Sequence, residues 1–204
     1  MSKEKEKEKT GGHRLSKREH LRAERRRRSL MWNSIVLGGL AVLVAAAVWY
    51  MFANARPDPH PDEQVIADEG GGHAEDGAVL TFNHYPPSSG AHYSAPARWG
   101  VYTTPVSEGQ FVHNLEHGGV VFLYHCAEPC PELEKQFADL YDSAPPDSTF
   151  NERKIVVTPY DAAKMPKPIV ALAWNHQLDL DQFDADLMLR WYRRFVNRGP
   201  ELVR

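Results

Sequence analysis

A long uncharged segment constrains what this chain can fold into more than any other feature of its sequence. Residues 29–55 carry no charged side chain, and most of them are apolar. A helix of about 20 apolar residues is long enough to cross a hydrocarbon layer of ~30 Å. Trp32 and Trp49 lie near the two ends of the segment, where interfacial aromatic residues are favoured. We therefore predict a transmembrane helix over residues 30–53.

The charges around this segment predict its orientation. The arginines Arg25–Arg28 directly precede it, and positively charged flanks tend to stay in the cytoplasm. The sequence thus predicts a single-pass protein of the cell membrane, with a cytoplasmic N-terminus and a C-terminal domain in a periplasm or a cell-wall space. A signal peptide cleaved after Ala55 is the alternative, because Ala53 and Ala55 fit the small-x-small cleavage pattern. The apolar region of a signal peptide usually has only ~7–15 residues, which favours an uncleaved anchor.

Composition divides the rest of the chain into segments. We predict a basic cytoplasmic tail over residues 1–29, a linker rich in Pro, Gly and acidic residues over 54–78, and an extracytoplasmic globular domain over 79–204. His60 and His73 fall in the linker and are interpreted as solvated histidines. The tail alternates Lys with Glu and has no interleaved aromatic residues, so the sequence predicts no nucleic-acid partner. The sequence indicates the membrane and a metal ion as partners and leaves any protein partner unknown.

Within the predicted domain, the residue pattern indicates three strands and two helices after an irregular region. Residues 81–109 are dense in Pro, Gly, Ser and aromatic residues, which predicts a packed irregular loop. Apolar β-branched runs and amphipathic stretches follow. They predict strands at 119–125, 154–161 and 168–180, and helices at 131–143 and 184–199. This order predicts an α+β fold in which helices cover a small mixed or antiparallel sheet.

Histidines are concentrated in two short motifs that predict a metal site. His113 and His117 form H-x3-H, a spacing that brings both imidazoles to one side of a helix or, less tightly, of an extended chain. His84 and His92 flank the constrained loop HYPPSSGAH, and Glu116 lies between the downstream pair. Neutral imidazoles that converge from one side suit zinc or copper. We therefore predict that these five residues bind copper or zinc.

The same residues admit two other interpretations. His113, Asn114 and Glu116 could form a buried hydrogen-bond network, which would suit a non-catalytic structural or partner-binding domain. A metal-free catalytic pairing of histidine with glutamate is the other interpretation, although no serine or cysteine nucleophile motif accompanies it. No phosphate-binding loop is visible either, since Gly70–Gly72 lacks the flanking strand and helix that such a loop needs. Catalytic residues, and enzymatic activity itself, are left open.

Two cysteines, Cys126 and Cys130, lie at the predicted junction of a strand and a helix. In an exported chain this C-x3-C pair predicts a disulfide, because helix-like backbone would bring the two Cα atoms to about 6 Å. A thiol pair at a helix N-terminus would also suit redox exchange or metal transfer. The segment FLYHCAEPCPELEK resembles the thioredoxin-like copper chaperones that serve cytochrome oxidase. That resemblance implies copper ligation by both thiolates together with a distant histidine, here His176.

A second resemblance runs from about His84 to Glu201. The motifs that carry it are HYPPSSGAH, PARWGVY, VHNLEHGGVVFLY, the Pro-Tyr of VVTPYD, ALAW and NRGPE. In this order they resemble a bacterial family catalogued as a domain of unknown function, usually a single-pass or exported protein. The family has no established activity, so the resemblance implies architecture and the importance of the motif residues His84, His92, His113, Asn114, Glu116 and His117. The paired cysteines are not part of the family's pattern.

Overall fold

The N-terminal part of the chain is one long helix. The computed structural model describes residues 2–53 and 57–203, and the chain forms two compact units, Met1–Ala55 and Arg56–Arg204. The first unit contains α1, Ser2–Ala53. Within α1, the segment Glu19–Phe52 reaches a mean hydropathy of 2.3 over 18 residues. The segment is therefore long and apolar enough to be a membrane span or a signal sequence. The cleavage position considered after Ala55 lies outside the described residues.

The second unit has an α+β fold, which confirms the fold class predicted from the sequence. Its helices are α2 (Glu108–Glu116), α3 (Pro131–Ser143) and α4 (Ala185–Phe195). Its strands are β1 (Gln64–Val65), β2 (His73–Ala74), β3 (His92–Tyr93), β4 (Gly100–Val101), β5 (Val120–Tyr124), β6 (Ile155–Pro159), β7 (Ile169–Ala173) and β8 (His176–Leu180). A single 3-10 turn follows β6 at Ala162–Lys164.

Six of the strands form one mixed sheet in the order β1-β8-β7-β5-β6-β4. β5 and β6 are parallel, as are β4 and β6, and α3 connects β5 to β6 as a crossover helix. The pairs β5–β7, β7–β8 and β1–β8 are antiparallel. The remaining strands, β2 and β3, form a separate parallel pair.

Helices and irregular chain cover the two faces of the sheet. Along β5, Phe122 packs into a cluster with α3 and α4, whereas Val121 and Leu123 pack into a second cluster with α2 and the segment that precedes it. All three side chains are fully buried. Successive residues of a strand point to opposite faces, so a strand covered on both sides reads as one continuous apolar run.

One sequence prediction about local structure needs correction. Residues 168–180, predicted as one strand, form the hairpin β7–β8, whose two-residue turn includes Asn175 in the left-handed region at φ 60°. Asparagine tolerates this conformation and is common in tight turns. Asn175 therefore marked the turn, although the apolar residues around it suggested one continuous strand. Gly118 follows the end of α2 at φ 72°, the left-handed conformation that commonly terminates a helix.

Candidate metal centre

Helix α2 provides the platform of the site. Its apolar residues Phe111, Val112 and Leu115 are fully buried against the sheet, and burial of each contributes roughly 1.5–3 kcal/mol. His113 and Glu116 are three residues apart on the helix, so they lie on one face, and His117 at its C-cap continues that face. The spacing H-x3-H is therefore a helical i, i+4 spacing.

Two short strands bring further histidines to this face. β2 and β3 pair in parallel with His73 directly opposite His92. The His92 N–H donates to the Gly72 carbonyl at 3.0 Å, and the Gly90 N–H donates to the Gly70 carbonyl at 2.8 Å. These bonds fix the segment before His73 against the segment that carries His92.

The result is a histidine–glutamate cluster, which consists of His73, His92, His113 and Glu116. One ligand atom from each residue lies within 4.8 Å of the others. The His92 Nε2 atom is 2.9 Å from Glu116 Oε2, and the ring centroids of His92 and His113 are 4.8 Å apart. His92, His113 and Glu116 are buried, whereas His73 is exposed and forms the solvent side of the cluster.

Backbone carbonyls determine which nitrogen of each buried ring carries a proton. His92 Nδ1 is 2.9 Å from the Gly90 carbonyl oxygen, and His113 Nδ1 is 2.7 Å from the Tyr93 carbonyl oxygen. A carbonyl oxygen can only accept, so both Nδ1 atoms are donors, and a neutral ring then has its lone pair on Nε2. Metal-binding histidines commonly have this outer hydrogen bond, which fixes the tautomer and the orientation of the ring.

The His92 Nε2 atom has no hydrogen-bond partner of acceptable geometry among residues 2–53 and 57–203, although Glu116 Oε2 is only 2.9 Å away. The two atoms are therefore in electrostatic contact, but the angle at the contact is unsuitable for a hydrogen bond. A neutral His92 would direct a lone pair at a carboxylate in a buried site. Such a contact is stable only with a proton or a metal ion between the nitrogen and the oxygen.

Burial lowers the pKa of His113, and the nearby rings of His117, His92 and His73 lower it further. The hydrogen bond to the Tyr93 carbonyl acts in the opposite direction without reversing the shift. His113 therefore keeps its Nε2 lone pair to lower pH than an exposed histidine would.

Among the predicted site residues, His117 borders the cluster and His84 does not. The Nε2 atoms of His117 and His113 are 2.9 Å apart. His84 Nε2 instead contacts Gln177 Oε1 on β8 at 2.9 Å, and His84 is not part of the cluster. The structure thus places His92, His113, Glu116 and His117 close together and His84 apart from them.

Sequence reasoning missed His73, which is a member of the cluster, and Glu201, which lies beside His117. His73 was interpreted as a solvated linker histidine, but it pairs with β3 and contacts the rings of His92 and His113. Glu201 lies in the motif NRGPE, and its Oε2 atom is 3.8 Å from His117 Nε2. The glycine run before His73 was the available signal for the first residue, because such a run permits close backbone approach.

Asn114 and Gly71 support the cluster from outside. The Asn114 side chain accepts from the Ala97 N–H at 2.9 Å and donates to the Ala97 carbonyl at 2.8 Å, which ties α2 to the preceding segment. Gly71 lies directly against the site, since a Cβ there would be 2.9 Å from Glu116 Oε1. Part of the polar network is therefore structural, and it surrounds the potential ligands.

The two cysteines form a disulfide, as the C-x3-C spacing predicted, with their Cα atoms 6.2 Å apart. Cys130 is the N-cap residue of α3, so the disulfide closes the turn between β5 and that helix. His176, the histidine implied by the copper-chaperone resemblance, lies beside Glu63, with 3.0 Å between its Nδ1 atom and Glu63 Oε1.

The fold and the site define an α+β domain with a largely buried histidine–glutamate cluster, preceded in the chain by a helix long enough to span a membrane. The chain belongs to the family described as protein of unknown function (DUF3105), whose family model matches residues 73–203. This match confirms the resemblance to a family of unknown function, and it includes every member of the cluster. No curated protein and no solved structure matches the chain.

Proposed function

We propose that the domain binds a divalent transition metal ion, copper or zinc, through His73, His92, His113 and Glu116. The observation that carries this proposal is the buried Nε2 atom of His92, which faces a carboxylate without a proper hydrogen bond. A metal ion between the two groups would use the imidazole lone pair and offset the charge of the carboxylate.

The donor set favours these metals over others. Three imidazole nitrogens and one carboxylate oxygen suit Zn²⁺ and Cu²⁺, whereas Ca²⁺ and Mg²⁺ prefer oxygen ligands. Copper binds such sites more tightly than zinc in the usual order of affinities. The role we propose is metal binding or trafficking on the extracytoplasmic side of the membrane, and the arginine block before the apolar helix supports this orientation.

Metal analysis of the full-length chain in detergent tests the proposal. The protein is stripped with a chelator, loaded with Zn²⁺ or Cu²⁺, passed through a desalting column and measured by inductively coupled plasma mass spectrometry. We expect the wild-type chain to retain at least one ion and His92→Gln to lose it. His84→Gln is the matched control, because His84 contacts Gln177 and lies outside the cluster.

Thermal unfolding supplies a second readout. A ligand that binds only the folded state at about 100 times its Kd stabilises that state by about 2.7 kcal/mol. Zn²⁺ or Cu²⁺ should therefore raise the Tm of the wild type and of His84→Gln, but not that of His92→Gln. A wild-type chain that retains neither metal, or equal retention by His92→Gln and the wild type, would refute the proposal.

A further inference from the structure

A second set of potential ligands lies beside the cluster. It consists of Glu116, His117 and Glu201, whose ligand atoms also lie within 4.8 Å of one another. We propose that this C-terminal group holds a second divalent metal ion and that Glu116 bridges the two ions. The inference rests on the proposed function and extends it, since it makes the centre dinuclear.

Glu116 lies where its carboxylate can bind both ions. Its Oε2 atom contacts His92, and the residue belongs to both ligand groups. A carboxylate has two oxygens with separate lone pairs, so it can bind one ion through each. Metal ions in two-metal sites are typically about 3.5–4 Å apart. With Glu116 only 8% exposed, the bridging carboxylate would be largely shielded from solvent.

Backbone contacts fix the C-terminal segment that carries Glu201. The Glu201 N–H donates to the Glu116 carbonyl at 3.0 Å, and the Asn197 N–H donates to the Gly118 carbonyl at 2.8 Å. Between these contacts the chain passes so close to α2 that a Cβ on Gly199 would be 2.0 Å from the Glu116 carbonyl oxygen. Glycine is required for this approach, and the approach brings the Glu201 carboxylate to His117.

Lys154 fixes the same segment from its other end. Its side chain is fully buried, and its ammonium group donates to the His117 carbonyl and to the Val203 carbonyl. The chain on both sides of Glu201 is therefore bonded to the end of α2 or to the sheet. A ligand residue whose backbone is held in this way leaves only its side chain to be ordered when it binds an ion.

The contact between His113 and His117 couples the two positions. The Nε2 lone pair of His113 can accept a hydrogen from His117, 2.9 Å away, or bind a metal ion, but it cannot do both. An ion in the histidine–glutamate cluster would therefore displace the hydrogen bond from His117 to His113, and His117 Nε2 could then approach Glu201 Oε2, which is 3.8 Å from it. We infer that the first ion binds before the second.

Stoichiometry in the full-length chain tests the second position. With saturating Zn²⁺, equilibrium dialysis and mass spectrometry should give two ions for the wild type and one for Glu201→Gln and for His117→Gln. Glu132→Gln, which removes an exposed carboxylate on α3, is the matched control and should retain two. His92→Gln should retain fewer than one ion, because loading is ordered.

Cu²⁺ provides an independent readout by electron paramagnetic resonance. Two Cu²⁺ ions about 4 Å apart are spin-coupled, so the fully loaded wild type should show a weakened or broadened signal. Glu201→Gln should show the sharp signal of an isolated ion. One Zn²⁺ per wild-type chain, unchanged in Glu201→Gln, would overturn the second position and leave the first intact. Two ions in Glu201→Gln would also overturn it, whereas no ion in the wild type would refute the proposed function itself.

Discussion

The two ends of the segment from Phe111 to Cys130 both contain reactive side chains, but the contacts of these side chains differ in range. At the α2 end, histidine and glutamate side chains meet partners from β2, β3 and the C-terminal segment. At the other end, Cys126 and Cys130 bond to each other across a single turn. The first feature depends on the whole fold, and the second depends on five consecutive residues. Proximity in sequence therefore says little about shared function here.

The sharpest test of this contrast is Glu116→Gln. The substitution keeps the shape of the side chain but removes the charge that both ligand groups share. We expect Zn²⁺ affinity to fall by at least about 100-fold, or about 2.7 kcal/mol, as measured by competition with a chromophoric chelator. Cys126→Ser/Cys130→Ser should leave the affinity unchanged. A loss of affinity in the cysteine variant would show that the two ends form one functional unit.

The reverse experiment examines the disulfide. A five-residue loop closed by a disulfide loses chain entropy worth about 2 kcal/mol in the loop-closure estimate. Cys126→Ser/Cys130→Ser should therefore lower the free energy of unfolding by about that amount in urea. Reduction of the wild type with a thiol should reproduce the loss, which provides the control. No change in the urea midpoint in either case would contradict a stabilising role.

Gly71→Ala perturbs the cluster without removing a ligand. The new Cβ would be 2.9 Å from Glu116 Oε1 and 3.8 Å from the Trp174 ring, so the carboxylate has to move. We expect the affinity for Zn²⁺ to fall about 10-fold, or about 1.4 kcal/mol, by the same competition assay. Gly38→Ala is the control, because a Cβ there meets no atom within 4 Å. Unchanged affinity in Gly71→Ala would show that Glu116 Oε1 is not needed for binding.

The sequence was informative where one element carried the signal. The helix at 131–143 was predicted with the bounds that the structure shows, because Pro131 at its start and the acidic first turn are local features. The α+β class followed from the order of such elements. Helix α2 was not assigned, because His113, Asn114 and Glu116 are polar residues on buried positions and obscure the apolar period. Their burial depends on contacts that the local sequence does not contain.

The ligand set shows the same limit. H-x3-H correctly indicated that His113 and His117 share a side, since helical spacing alone determines this. Local spacing could not show whether His73, His84 and Glu201 reach the site. Their positions depend on the pairing of β2 with β3, on a contact with β8 and on the path of the C-terminal segment, respectively. Long-range pairing therefore decides which of several histidines reach the site.

The smallest expected effect is a pH dependence of stability, to which the histidine–glutamate cluster contributes and the disulfide turn does not. Burial lowers the pKa of His113, so the folded metal-free protein binds fewer protons than the unfolded chain just below the ordinary histidine value of 6.5. Stability should then be fully present above pH 6.5 and decrease as the pH falls towards the lowered pKa of the folded state.

His176 shows the same direction of shift, again because of burial, with Glu63 acting against it. Urea unfolding of the metal-free chain between pH 7.5 and about 5 should therefore give a declining free energy. His113→Gln and His176→Gln should each make the decline shallower, whereas Cys126→Ser/Cys130→Ser should lower the whole curve without changing its slope, since a disulfide does not titrate. If the free energy of unfolding falls with pH equally steeply in both histidine variants, neither buried ring controls this dependence. The pH dependence would then not distinguish the cluster from the disulfide turn.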